Sequence, residues 1–150
     1  MKPLVVLISS FTIGLLATFL FHEITLIFAG NLGMSMMLVF TSIGHFIYSK
    51  EMSAMIPAFI PFKTQVIWLT GLLEIIFAIV ILIPVLRMPA SWALIIFLLA
   101  ILPANISAAV RKVNYQNSTV PGPGIQYLWF RIPLQFFFVS WIYLFGIHFN

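Results

Sequence analysis

Five apolar runs divide this chain of 150 residues, and ionisable side chains are almost absent from them. The runs lie at about 3–21, 31–48, 64–83, 90–110 and 127–147. Each is close to the roughly 20 residues that carry a helix across a bilayer core. Hydrocarbon offers no partner to a backbone N–H or C=O, so a spanning segment must be a helix or part of a closed barrel. The runs are continuous rather than alternating with period two, which excludes the barrel. The expected fold is therefore all-α: a polytopic membrane helical bundle of five transmembrane helices, forming one integral membrane domain over residues 1–150. Composition agrees. Charged residues are 7% of the chain, against about 25% in a soluble domain. The seven cations are dispersed, so no basic stripe exists to track a nucleic acid. The absence of Cys removes disulfides, thiolate nucleophiles and thiolate metal sites.

The first run also fits a signal peptide, with Lys2 before an apolar stretch. It is long, however, and the best small-x-small site after it is Ile27-Phe28-Ala29, so a retained helix is expected. With the N-terminus in the cytoplasm, the inner side holds Lys2, Lys50, Lys63, Arg111, Lys112 and Arg131, and the outer side holds Arg87. That bias predicts a multi-pass protein of the bacterial inner (plasma) membrane with its C-terminus outside. Residues 49–62 carry Pro57 and Pro61 and read as an interfacial turn followed by an extended stretch. Residues 84–89, from Pro84 to Pro89, read as a tight outer turn. The polar loop 111–126 contains Pro121-Gly122-Pro123-Gly124 and is expected to be mobile.

Ionisable groups inside membrane spans are functional candidates. Glu74 follows Lys63 by 11 residues, hence lies roughly 16 Å deep at about 1.5 Å per residue. Thr70, Gly71 and Ala78 share its helical face and form a small, polar stripe of the kind that meets other helices. His45, Asn105, Arg131 and Gln135 fall at comparable depth from the inner side. Together these five define a candidate intramembrane polar pocket, with His45 or Arg131 as the partner that would relieve Glu74. The same cluster equally fits a packing device that fixes helix register. Arg131 is followed closely by Pro133, which suits a first helical turn, so an interfacial arginine on lipid phosphate is a further reading. Pro103 leaves the Leu99 carbonyl without its helical donor, and Asn105 could serve that backbone.

No catalytic residues are expected, because no nucleophile–base pair, phosphate loop or paired carboxylates are present. No metal site is expected either: His22-Glu23 lacks a second His at the metalloprotease spacing, and His22 with His148 makes only a remote two-histidine candidate. Trp68, Trp92, Trp129 and Tyr143 lie near span ends and fit an aromatic belt.

Several short blocks occur in order: Gly44-His45-Phe46, Met55-Ile56-Pro57, Leu69-Thr70-Gly71-Leu72-Leu73-Glu74, Leu102-Pro103-Ala104-Asn105-Ile106 and Arg131-Ile132-Pro133-Leu134-Gln135. In these the chain resembles the DoxX family of small bacterial membrane proteins, in its DoxX-like branch, over about residues 31–147. The resemblance implies a four-helix core with the first helix added. It also implies an accessory subunit of a quinone-linked membrane redox complex, with quinone as cofactor and oxidoreductase subunits or a second copy as partners besides the lipid bilayer. Two alternatives stand beside it: a small transporter or proton-conducting protein using Glu74, and a structural or assembly protein without ligand.

Overall fold

The computed structural model describes residues 2–20, 25–57, 60–114, 122 and 124–149, and among them it is helical with no strand. The helices are α1 (Lys2–Leu20), α2 (Leu26–Ile47), α3 (Ser49–Ser53), α4 (Lys63–Val80), α5 (Pro84–Val110) and α6 (Leu128–Tyr143). A 3-10 turn, Ile125–Tyr127, leads into α6, and a π-helical turn, Leu144–His148, continues it. Four segments are long and apolar enough to cross a membrane: α2, α4, α5 and the continuous stretch Ile125–His148. The apolar part of α1, Lys2–Thr18, is shorter than that.

Two helix starts differ from the sequence expectation. The second helix begins at Leu26 rather than near Asn31, because Thr25 caps it by accepting from the Phe28 N–H at 3.2 Å. The fifth begins at Pro84, so Pro84 to Pro89 is its opening rather than a turn. A proline at the first position loses an N–H that the helix would not have used. The connection between α4 and α5 is only Ile81–Ile83. The interfacial stretch after α2 forms the short α3 and then buries Met55 and Ile56. Arg111 ties this stretch to the end of α5, donating to the Met55 carbonyl at 2.6 Å. Residues 58–59, 115–121 and 123 are not described, so half of the expected mobile loop 111–126 falls outside the described residues, as do His22 and Glu23.

In lipid, apolar side chains gain little from one another, so helices associate through close packing and hydrogen bonds. The contacts follow that rule. Gly33 lies against the Leu7 carbonyl and Phe11, and Gly14 against Ala29, which seats α1 on α2. Ser35 of α2 donates to the Ala78 carbonyl of α4 at 2.7 Å. Trp141 of α6 donates to the Gly30 carbonyl at 2.9 Å, and its ring meets Phe11 edge-on at 4.9 Å. Leu7, Met34, Leu38, Ile81, Leu94 and Ile142 are the largest fully buried apolar side chains among the described residues. Large apolar residues such as Ile13, Leu20, Ile79, Ile96 and Trp129 stay outward, as a lipid-facing surface requires.

Candidate functional site

Glu74 is buried, 4% exposed, on the side of α4 that meets α2. One turn earlier stands Gly71, where an added Cβ would lie 2.8 Å from the His45 Cβ. The missing side chain lets α2 approach α4 and lays the His45 ring across Thr70 and Glu74. His45 Nε2 is 3.4 Å from Glu74 Oε1, and His45 Nδ1 is 3.1 Å from Thr70 Oγ1. The Thr70 hydroxyl already donates its one proton to the Ile67 carbonyl at 2.8 Å. With that proton used there, the Thr70 lone pairs face the ring and match the tautomer with hydrogen on Nδ1. Nε2 is the ring nitrogen facing Glu74. Glu74 Oε2 is buried without a hydrogen-bond partner.

Such a couple has two neutral arrangements: a carboxylic acid beside a neutral imidazole, and a carboxylate beside an imidazolium. The separation of 3.4 Å exceeds the about 2.7–3.2 Å of a well-formed N–H···O bond. Neither form is clamped. Removing either partner would leave the other ionisable group uncompensated in a low-dielectric interior.

The other three candidates form a separate junction between α5 and α6. Arg131, in the first turn of α6, donates from Nη2 to Asn105 Oδ1 at 2.8 Å and lies over the Tyr127 ring. It is half-buried, between the two placements the sequence left open. Glu74 is thus partnered by His45, while Arg131 turns to Asn105. Gln135, one turn further, donates to the Leu98 carbonyl at 2.6 Å. The side chain that reaches α5 backbone near Pro103 is therefore Gln135, whereas Asn105 Nδ2 is buried without an acceptor. The described contacts fall into the His45–Thr70–Glu74 set, the Asn105–Arg131 pair and the Gln135 tie. Two apolar surface grooves of about 430 Å³, one between α1 and α6 and one between α5 and α6, are lined by other residues.

Buried polar residues also occupy the opposite ends of α2 and α5. Asn31 Nδ2 donates to the carbonyls of Ile27 and Phe145, at 2.8 and 2.9 Å. Arg87 is buried and donates to the Ile81 carbonyl at 3.3 Å. Ser91 is fully buried, its Oγ in close contact with Gly146 in the π-helical turn. Arg87 stood out only as the outer cation, and Asn31 and Ser91 were missed because a serine or an asparagine near a span end carries no charge to draw attention. The available signal was helical spacing: Arg87 and Ser91 are four apart and share one face.

No curated protein and no solved structure matches the chain. A family described as Domain of unknown function (DUF8561) matches residues 34–145. This match overturns the DoxX resemblance: the family is a different one. The blocks that suggested DoxX pair Gly, Pro and single polar residues with aliphatic runs, and membrane helices of many lineages select those combinations for close packing. The matched region runs from the middle of α2 into the π-helical turn and contains His45, Glu74, Asn105, Arg131 and Gln135. The chain belongs to the DUF8561 family of unknown function.

Proposed function

We propose that this protein is a small proton-conducting element of the inner (plasma) membrane, with a proton-binding centre formed by His45 and Glu74. It crosses the bilayer five times, α1 included, with the N-terminus and most cations on the cytoplasmic side. Leu7 in the core and the Gly14–Ala29 contact support α1 as a member of the packed set. The observation that carries the functional reading is the geometry around Glu74: a buried carboxyl group whose ionisable partner among the described residues is a histidine with Nδ1 held by Thr70. A bare Glu at mid-membrane costs about 3 kcal/mol or more, so such residues persist where they work. His45 is the more accessible partner, its side chain 14% exposed against 6% for Glu74, which makes it the group through which a proton arrives. The quinone-linked accessory role came with the DoxX resemblance and has no separate support in these residues.

Reconstituted vesicles carrying a pH gradient provide the test. Wild-type protein is expected to collapse the gradient faster than empty vesicles, and Glu74→Gln is expected to abolish that excess. Thr70→Val, which frees the His45 ring, is expected to slow it. Equal decay in wild-type and Glu74→Gln vesicles would leave the couple a packing role only.

A further inference from the structure

The Arg131–Asn105 junction carries more donors than acceptors. Arg131 Nη2 donates to Asn105 Oδ1 at 2.8 Å, which fixes the amide orientation. Asn105 Nδ2 must then point elsewhere, and it is buried with no acceptor, in a side chain 7% exposed. A guanidinium has five N–H groups. The charge rests otherwise on the face of Tyr127, 5.8 Å away. Among the described residues the ion pair is His45–Glu74, and Arg131 has no carboxylate. Asn105 lies six residues inside Arg111, the cap of α5, hence roughly 9 Å from that end of the helix. A full positive charge at this depth is costly without a counter-charge. An orphaned amide donor beside it adds to the same demand. Both groups are matched by a negatively charged acceptor. Arg131 as a residue is half-buried rather than enclosed. Its planar fork matches an oxyanion in two places at once, which a point charge cannot do.

We propose that Arg131 and Asn105 form a binding site for a phosphate-type oxyanion at the Arg111 end of α5, either the phosphodiester of a lipid headgroup or free phosphate. The site is separate from the His45–Glu74 couple, so each can fail without the other.

The test uses the full chain in an uncharged detergent. Phosphatidylglycerol, a phosphate-free glycosyl diacylglycerol and inorganic phosphate are added separately. Binding is read by native mass spectrometry and by the thermal unfolding midpoint. Wild-type protein is expected to bind phosphatidylglycerol and melt at higher temperature, with no such response to the glycolipid. A response to inorganic phosphate alone identifies a free-anion site, and a response to phosphatidylglycerol alone identifies a lipid site. Arg131→Gln is expected to weaken phosphatidylglycerol binding by about tenfold or more, the worth of a charge-assisted hydrogen bond. Arg131→Lys keeps the charge, guards against a folding defect, and is expected to bind more weakly than wild type for want of the fork. Asn105→Asp places a carboxylate against Arg131 and is expected to remove the lipid response. Equal stabilisation by the glycolipid, wild-type affinity in both Arg131 variants, or an unchanged response in Asn105→Asp would each overturn the site.

Discussion

Gly71→Ala tests whether the approach of α2 to α4 is set by a missing side chain. The new Cβ would meet the His45 Cβ at 2.8 Å. Carbon atoms rest at about 3.5–4.0 Å, so the helices must part by about 0.7–1.2 Å at this level. The clash is with a Cβ, which cannot swing aside as the tip of a long side chain would. Overpacking of this kind costs about 1–3 kcal/mol. The same shift would open the His45–Glu74 separation from 3.4 Å to about 4 Å or more, beyond useful proton exchange. Gly44→Ala is the matched control, because a Cβ there meets nothing within 4 Å. In a helix that change gains up to about 1 kcal/mol. Gly71→Ala makes the same gain, so the two variants should differ by the overpacking cost, about 1–3 kcal/mol. Reversible unfolding in mixed micelles measures the difference, and vesicle proton flux measures the functional loss. Equal stability of the two variants would refute the reasoning, as would Gly71→Ala with full flux.

Other expected outcomes test the packing around this centre. Trp141→Phe removes the donor to the Gly30 carbonyl at 2.9 Å and should cost about 1 kcal/mol in the same unfolding assay. Thr25→Ala removes the cap of α2 and should cost about 1 kcal/mol, with faster amide exchange confined to the first turn. Gly146→Ala should destabilise by about 1–3 kcal/mol, because its Cβ would enter the space held by Ser91 Oγ. Ser91→Ala should recover part of that loss, and a double-mutant cycle would read the coupling.

Much of the helical layout was legible because hydrocarbon imposes a single rule on every residue of a span. Continuous apolar runs fixed the helices, while their starts depended on capping groups that hydropathy does not register. Thr25 moved one start by five residues, and Pro84 turned an expected loop into the opening of α5. Glu74 was legible as a site because an acid in a span is conspicuous, and Gly71 marked the face it would present. Its partner was not legible. His45 and Arg131 were both basic and comparable in depth, and the choice rested on which helix Gly71 admitted. Asn31 and Ser91 were overlooked because their importance lies in what surrounds them, the π-helical turn and Gly146, rather than in the residue types. The family likeness failed for a related reason. Short Gly, Pro and polar blocks report the demands of helix packing in lipid, which unrelated families share.

Infrared difference spectroscopy on the reconstituted protein, recorded across a pH step, watches the Glu74 carboxyl itself. A proton-binding centre predicts a protonated-carboxyl band that responds to the step, disappears in Glu74→Gln, and changes in His45→Gln and Thr70→Val. A spectrum with no pH-responsive carboxyl band lost in Glu74→Gln would contradict the assignment of proton binding to this couple.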